Sequence, residues 1–313
     1  MTLDQATQAF LSQMAASGSP PMTELSPAEA RQSGAAITQM IGPGPEVAAV
    51  HDHTLTAEDG SRFGLRVIRP AAQVASVVVY FHGGGWVVGD IDGFDTLGRK
   101  LANASDSTVV LVNYRKAPEH PYPAAVDDAW RALEWVTGHL CEIAGSDVPV
   151  VVAGDSAGGN LAAVIARRAR DRKAPKLAHQ ILIYPVTDSD LDAPQYHDPA
   201  NQLMLDRASM VWFWDHYASP ERRCEPDASP LRAADLSALP PATVLVAEHD
   251  VLRVEGEAYA AALEKAGVPT VLHLCEGQMH GFFSMINILP GSAVALDLVA
   301  ATIRGVQSQE EAR

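Results

Sequence analysis

The sequence has few cysteines, a shortage of basic residues and no long apolar run. Its three cysteines are odd in number and show no C-x-x-C spacing, so neither a disulfide framework nor a zinc site is predicted. Only 23 basic residues stand against 38 acidic ones, and the net charge of −15 argues against a nucleic-acid or anionic-membrane surface. No apolar run approaches the roughly 18 residues that a membrane-spanning helix requires.

The first ten residues contain no basic cluster and no long apolar segment, so we expect no secretion signal. Together with the scarcity of cysteine, this favours a reducing compartment, and we expect a cytoplasmic protein. Hydrophobic residues make up 47% of the chain and charged residues 19%, which is typical of a globular protein that buries a full core.

Short apolar runs alternate with helical patterns along most of the chain. Continuous apolar runs are typical of strands that are covered on both faces, and their alternation with helices predicts an α/β fold with a mostly parallel sheet flanked by helices. The predicted strands are Val77–Phe81, Thr108–Val112, Pro149–Ala153, Gln180–Tyr184, Ala242–Ala247 and Thr270–Leu274, and two of the predicted helices are Ala124–Leu140 and Gly256–Ala266.

The chain before this alternation reads differently. Residues 1–45 predict helices that are interrupted at Gly18–Pro21, and Ser26 followed by Pro27 and a glutamate predicts a helix start. Residues 47–56 and 63–68 then predict two strands joined by a turn.

The sequence Gly154-Asp155-Ser156-Ala157-Gly158 lies between an apolar β-branched run and an Ala-rich helical pattern. Small residues around the serine allow a sharp strand-to-helix turn that exposes the hydroxyl, and the N–H groups of the first helical turn then point toward developing negative charge. Ser156 is therefore the candidate nucleophile.

A serine nucleophile needs a base and a group that orients the base, and in an α/β sheet these should lie in loops after later strands. We predict Asp250 as the acid and His280 as the base, because Ser, Asp, His is the chain order of α/β-hydrolases. The alternatives for the acid are Glu248, Asp188 and Asp190, and those for the base are His249 and His273. Asp250 also has the alternative role of a helix cap.

A glycine-rich run, His82-Gly83-Gly84-Gly85-Trp86, directly follows the strand that ends at Phe81. Backbone N–H groups of Gly83 and Gly84, with that of Ala157, are predicted to form an oxyanion hole. A phosphate-binding loop is disfavoured, because the run has no Gly-Lys-Ser/Thr and no G-x-G-x-x-G pattern.

These motifs, with the segments Tyr114–Ala125, Ser229–Leu231, Leu239–Ala242 and His280–Phe282, make the chain resemble the bacterial hormone-sensitive-lipase-like esterases. The resemblance implies an α/β-hydrolase fold with a helical cap. It places cap segments at residues 1–45 and 188–232, and core segments at 46–187 and 233–313. Lys116 stands where the family usually has Leu, and Val251 where Pro commonly follows the acid.

The resemblance implies hydrolysis of short- to medium-chain carboxylic esters through a Ser-His-Asp triad, with no cofactor, no metal and a small-molecule ester as partner. Two alternatives stay open at this point. One is an amidase of the arylformamidase type, and the other is a ligand-binding protein like the plant gibberellin receptors, which lack the catalytic histidine. A homodimer that pairs through the edge strand 270–274 is also possible.

Two further clusters carry competing interpretations. His51 and His53 lie on one face of a predicted strand, but no third ligand is near in sequence, so a metal site is disfavoured. Glu119-His120 is flanked by prolines, which favours a rigid structural loop over a second acid–base pair.

Overall fold

The computed structural model describes residues 2–311, with side chains for residues 2–307. Met1 and residues 312–313, at the outer ends of the predicted first and last segments, lie outside the described residues. An eight-stranded sheet crosses the described chain in the order β1-β2-β4-β3-β5-β6-β7-β8. The strands are β1 Ala49–Thr56, β2 Arg62–Arg69, β3 Ser76–Phe81, β4 Ser107–Asn113, β5 Val150–Asp155, β6 His179–Ile183, β7 Ala242–His249 and β8 Thr270–Met279.

The first two strands pair antiparallel with their neighbours, and the strand pairs from β4 to β8 are parallel. The α-helices are α1 Gln5–Ala16, α2 Pro27–Ile41, α3 Asp95–Ser105, α4 Ala124–Gly138, α5 Leu140–Ala144, α6 Ala157–Arg172, α7 Arg207–Tyr217, α8 Arg253–Lys265 and α9 Pro290–Glu311. Helices α4, α6 and α8 cover one face of the sheet, and α3 and α9 cover the other. The predicted α/β class is thereby confirmed.

Burial follows from this layering. Every residue of β3 and β5 is buried, because helices cover both faces of the central strands. Strand β8 lies at the sheet edge and leaves three apolar side chains largely exposed: Val271, Leu272 and Leu274. This is the strand through which subunit pairing was predicted, and that pairing stays a prediction.

The N-terminal helices form where the sequence predicts them. Ser26 caps α2 with a full capping box, in which its hydroxyl accepts from the Glu29 N–H and the Glu29 carboxylate accepts from the Ser26 N–H. Asp4 caps α1 and also accepts from Gln278 Nε2 at 2.9 Å, which fixes the start of the chain to the end of β8.

Several predicted boundaries were wrong, among them the end of one helix and the end of the last strand. The helix predicted over Ala124–Leu140 ends at Gly138, and a separate short helix follows. Strand β8 continues five residues beyond its predicted end at Leu274 and reaches Met279, with a register irregularity opposite Ala247 and His249. Turn-type residues in Glu276-Gly277 concealed this extension, because glycine is depleted in strands except at irregularities.

The insertion at residues 188–232 contains short 3₁₀ helices and the helix α7. Four side chains of α7 are buried in the same apolar cluster as α4 and α6: Met210, Phe213, Trp214 and Tyr217. Helix α7 also packs against the 3₁₀ helix Met22–Glu24 of the N-terminal segment. The two predicted cap segments therefore contact each other, while the assignment of domain boundaries stays a prediction.

Candidate active site

Ser156 stands at the turn between β5 and α6 in a conformation that non-glycine residues rarely adopt, with φ 57° and ψ −119°. The turn is held by backbone hydrogen bonds, since the Ser156 N–H donates to the Ile183 carbonyl at 2.8 Å. A Cβ at Gly154 would collide with the Gly158 carbonyl, and one at Gly158 would collide with the Phe81 carbonyl. The strand-to-helix reversal thus requires glycine at both positions, and it leaves the serine side chain 7% exposed.

Three distant loops bring Ser156, His280 and Asp250 together. The Ser156 hydroxyl lies 3.0 Å from His280 Nε2, and His280 Nδ1 lies 2.7 Å from Asp250 Oδ2. Both separations are hydrogen-bond distances, so the imidazole connects the hydroxyl to the carboxylate. The Tyr184 ring lies 4.6 Å from the His280 ring, and it packs against the imidazole from the end of β6.

Asp250 is completely buried and uses both carboxylate oxygens. While Oδ2 accepts from His280, Oδ1 accepts from the Leu252 N–H at 2.9 Å, just before α8 begins. Asp250 is not the cap of α8, because the N-cap residue is Leu252 and has no side-chain cap hydrogen bond, so the alternative role as a helix cap is wrong. The bond from the Leu252 N–H instead closes a local turn, which fixes the carboxylate plane and the direction of its second oxygen.

Glu248, the alternative acid, has a different partner. Its Oε2 accepts from the Gly277 N–H at 2.7 Å, so this carboxylate fastens the irregular end of β8 to β7. That end leads directly into His280. Of the distant alternatives, Asp188 pairs with Arg232, and the Asp190 carboxylate accepts from the Asp192 N–H.

None of the other histidines weighed from the sequence is hydrogen-bonded to Ser156 among residues 2–307. His249 lies 3.8 Å from the Glu248 carboxylate, and His273 lies within β8. The Glu119 carboxylate is bonded to Arg31 and not to His120 among the described residues, since its two oxygens accept from the two terminal nitrogens of the guanidinium.

The glycine loop differs from the prediction at Gly83. Its N–H donates to Asp155 Oδ1 at 3.0 Å, so this group is already engaged and does not face a vacant position. The N–H groups of Gly84, Gly85 and Ala157, by contrast, have no hydrogen-bond partner among residues 2–311. The available donors are therefore the second and third glycines of the run together with the first residue of α6.

Asp155 is a buried carboxylate beside the nucleophile, only 3% exposed. Its Oδ1 accepts from the Tyr80 hydroxyl at 2.9 Å as well as from Gly83, so it connects β3, β5 and the glycine loop. Burial raises the pKa of Asp155 to about 6, although these two hydrogen bonds act in the opposite direction.

His82, at the start of the glycine loop, is buried and neutral. Burial lowers its pKa to about 3, and its Nδ1 lies 2.7 Å from the Gly83 carbonyl, to which it donates. Its ring stacks on Tyr114, whose hydroxyl donates to the His82 carbonyl at 2.8 Å. These contacts give His82 a structural role in shaping the loop.

The histidine pair on β1 is not joined by further ligands. His53 packs its ring against Trp135 at 4.7 Å, and nowhere in the described chain do three His, Cys, Asp or Glu side chains converge as a metal site. Within residues 2–311, no helix combines the length and apolarity needed to span a bilayer.

Comparison with known proteins places this geometry in a family. Residues 78–284 match the model of a family described as having the alpha/beta hydrolase fold. Carboxylesterase NlhH of Mycobacterium tuberculosis is 43% identical over 223 residues, which cover 70% of each chain, and an ethyl acetate hydrolase of Pseudomonas putida is 36% identical over 91% of this chain and 92% of its own. The chain belongs to the hormone-sensitive-lipase-like α/β-hydrolases.

Solved structures agree with this assignment. A thermostable esterase from Pseudomonas putida superposes on this hydrolase with a TM-score of 0.92 and 37% identity, over 98% of both chains. Neither departure from the family pattern is one of the three residues Ser156, His280 and Asp250. Lys116 donates to Asn113 Oδ1 at 2.9 Å, and Val251 is buried. The α/β-hydrolase fold predicted from the sequence is confirmed.

Sequence reasoning missed two groups in this hydrolase. Asp155 was read only as part of the serine motif, although a carboxylate that ends a fully buried strand signals a required partner. Gly85 was left out of the donor set. The signal was the length of the glycine run, since three glycines leave a second and a third N–H available when the first is engaged.

Proposed function

We propose that this α/β-hydrolase cleaves carboxylic esters, with Ser156 as nucleophile, His280 as general base and Asp250 as the group that orients the imidazole. The observation that carries the proposal is the unbroken hydrogen-bond chain from the Ser156 hydroxyl through both nitrogens of His280 to Asp250. Membership of an esterase family and the esterase names of its relatives support the same reaction class.

The distances fit an acyl-transfer sequence. As Ser156 Oγ attacks the ester carbonyl, His280 Nε2 takes its proton, and the Asp250 carboxylate stabilises the imidazolium through Nδ1–H. His280 then gives that proton to the leaving alcohol and generates the acyl-enzyme. Water deprotonated by the same imidazole attacks the acyl group, and the carboxylic acid leaves as Ser156 recovers its proton.

The tetrahedral intermediates carry a negative oxygen that needs preorganised donors. We assign this role to the N–H groups of Gly84, Gly85 and Ala157, because Gly83 donates to Asp155. Ala157 begins α6, so its N–H also benefits from the positive end of the helix. No metal or cofactor takes part in this sequence of steps.

For the substrate, we propose esters with short to medium acyl chains. Support comes from the side chains around the glycine loop, where the Phe213 ring lies directly on Gly85 and leaves little room beside it. The Met204 sulfur of the insertion lies 3.9 Å from where a Cβ of Gly281 would stand, so this side chain is beside the residue that follows the base. A relative named an ethyl acetate hydrolase agrees with a small acyl group.

The experiment combines active-site labelling with a series of p-nitrophenyl esters. A fluorophosphonate should label Ser156, and Ser156→Ala should abolish the labelling and lower kcat by at least ~10⁴. Hydrolysis should be fastest for acetate to hexanoate esters. Labelling that persists in Ser156→Ala would contradict the assignment, and faster cleavage of an anilide or an N-formyl substrate would favour amide hydrolysis. A wild-type rate equal to buffer would favour the binding-protein alternative.

A further inference from the structure

Three consecutive residues of the glycine loop have positive φ: 110° at Gly84, 56° at Gly85 and 60° at Trp86. Glycine adopts such angles freely, whereas for Trp86 the left-handed region is unfavourable. A bulky residue keeps this conformation only where the surrounding structure over-determines it. The Gly84 carbonyl accepts from the Val87 and Val88 N–H groups, and the contacts of Trp86 add a second constraint on the direction of the two preceding N–H groups.

Those contacts come from helix α7 of the insertion. The Trp86 ring, fully buried, stacks on Tyr217 with the ring centres 4.0 Å apart and 5° between the planes, and Trp214 lies tilted at 4.9 Å. The Phe213 ring occupies the space where a Cβ of Gly85 would stand. Aromatic side chains of one helix thus enclose the residues that follow the first glycine.

Helix α7 is itself fastened to the core, so it provides a rigid support. Asp206 caps its start, where Oδ1 accepts from the Ser209 N–H at 2.7 Å. At its end, the Tyr217 carbonyl accepts from the Tyr122 N–H at 2.8 Å, in the segment before α4. The cap stabilises the start of the helix, the bond to Tyr122 anchors its end to the core, and the aromatic face between them is buried.

We propose that Phe213 and Tyr217 are positioning residues for the reaction, which hold the Gly84 and Gly85 N–H groups in the orientation needed to bind the oxyanion. This inference rests on the proposed ester-hydrolase function and assigns the insertion a role in the chemical step. The aromatic residues of α7 support the glycine loop by ring packing and not by side-chain hydrogen bonds. The Tyr217 hydroxyl and the indole N–H groups of Trp86 and Trp214 are buried without a hydrogen-bond partner among the described residues.

That absence of hydrogen bonds supplies a matched pair of variants. Tyr217→Phe keeps the ring that stacks on Trp86 and removes only the unpartnered hydroxyl, whereas Tyr217→Leu removes the stacked ring. For Tyr217→Leu we expect kcat toward p-nitrophenyl acetate to fall ~10- to 100-fold with KM within about threefold of wild type, because a displaced donor weakens transition-state binding specifically. Tyr217→Phe should stay within about twofold in both constants.

A second readout is the rate at which a fluorophosphonate labels Ser156, since the phosphonyl oxygen requires the same donors. Labelling should slow in Tyr217→Leu in parallel with kcat. A higher KM of Tyr217→Leu with unchanged kcat and labelling rate would overturn the proposal, because α7 would then contribute only to substrate binding. A wild-type enzyme that is not labelled would instead remove the ester-hydrolase function on which the proposal rests.

Should Tyr217→Leu fail to fold, Phe213→Leu provides the same comparison with a smaller loss of volume. It keeps an apolar side chain in α7 and removes the ring from Gly85. We expect kcat and the labelling rate to fall together, by ~3- to 30-fold, because one of the two ring contacts remains. Unchanged values of both in a folded Phe213→Leu protein would contradict the proposal.

Discussion

The two halves of the candidate site are held in place by different means. Ser156, His280 and Asp250 each lie within a few residues of a strand end; the Ser156 N–H donates to the Ile183 carbonyl at the end of the neighbouring strand, and the Asp250 carboxylate accepts from the Leu252 N–H. The glycine loop also has local backbone hydrogen bonds, from the Val87 and Val88 N–H groups to the Gly84 carbonyl, but distant side chains contact it as well: Asp155 holds Gly83, and the aromatic residues of α7 enclose Gly85. The placement of the three hydrogen-bonded side chains depends on where the strands end, and that of the glycine loop depends in addition on how distant side chains pack.

This difference teaches which mutations should act on the reaction and which on the scaffold. A change among the three hydrogen-bonded side chains removes a chemical group while the fold remains. A change around the glycine loop keeps every reacting group and alters only their placement. The first kind should give large losses, and the second kind smaller losses that depend on how the replacement packs or pairs.

The largest effect that sharpens this comparison is expected at Asp250. Asp250→Asn keeps the shape of the side chain but replaces an acceptor by an amide that favours the wrong imidazole tautomer, so kcat should fall on the order of 10³- to 10⁴-fold. Steady-state kinetics on a p-nitrophenyl ester measures this loss. Far-UV circular dichroism should remain that of the wild type.

Glu248→Gln is the matched control for Asp250→Asn, two residues away. Its amide oxygen still accepts from the Gly277 N–H, so the end of β8 keeps its anchor and kcat should change by less than about tenfold. Similar losses in the two variants would show that the acid is misassigned, and they would break the division between local and distant support.

An intermediate effect is expected at Asp155, which belongs to both halves. In Asp155→Asn one oxygen can still accept from Gly83 and Tyr80, but the buried negative charge near His280 is lost. We therefore expect kcat to fall by about tenfold, because the imidazolium that forms during the reaction loses a stabilising charge. A loss as large as that of Asp250→Asn would instead place Asp155 in the chemical step.

The effect of Asp155→Asn on the unfolding free energy should depend on pH, in a direction that can be measured. The pKa of Asp155 is about 6 in the folded protein, against an ordinary value of 3.8. Between these two pH values the native state binds more protons than the unfolded state. The unfolding free energy of the wild type therefore falls as pH rises from about 4 to 6. Asparagine does not titrate. The unfolding free energy of Asp155→Asn relative to wild type should therefore rise between pH 4 and pH 7 in urea titrations.

Sequence reasoning predicted the fold class and placed Ser156, Asp250 and His280 after strand ends. This was feasible because a strand end is recognisable from its apolar run, and parallel strands end at one edge of the sheet. The same reasoning predicted the Gly83 N–H as an oxyanion donor, whereas in the structure this N–H donates to Asp155 Oδ1. The direction of that N–H is set by Asp155 across two strands, and no local pattern contains this information.

The insertion illustrates the same limit. The resemblance predicted a cap segment here, but the partner of each aromatic ring depends on how α7 lies on the core. That Trp86 stacks on Tyr217, some 130 residues later in the chain, is a property of the tertiary structure alone. Local caps such as Ser26 were predictable, because their partners lie within four residues.

The smallest effect on activity is expected at Glu255, a buried carboxylate of α8 that fixes the start of the insertion. Its Oε1 accepts from the N–H groups of Thr187 at 2.7 Å and Asp188 at 3.3 Å, and its Oε2 accepts from the Tyr196 hydroxyl at 2.8 Å. Burial raises its pKa to about 8, with the neighbouring Asp188 acting in the same direction. This anchor supports the packed half of the site from a distance.

Glu255→Gln separates the charge of this anchor from its hydrogen bonds. In Glu255→Gln the amide oxygen can accept from the Thr187 and Asp188 N–H groups, and the amide nitrogen can donate to the Tyr196 oxygen. We therefore expect kcat and KM of this variant to stay within about threefold of wild type. Glu255→Ala leaves those groups unpaired and should lower the unfolding free energy by ~1–3 kcal/mol. Because the folded pKa lies above the ordinary 4.5, wild-type stability falls as pH rises from about 4.5 to 8. Glu255→Gln and Glu255→Ala should therefore both gain in unfolding free energy relative to wild type over that range, because neither side chain titrates. Equal unfolding free energies of the two variants at a single pH would mean that the hydrogen bonds contribute nothing to the anchor.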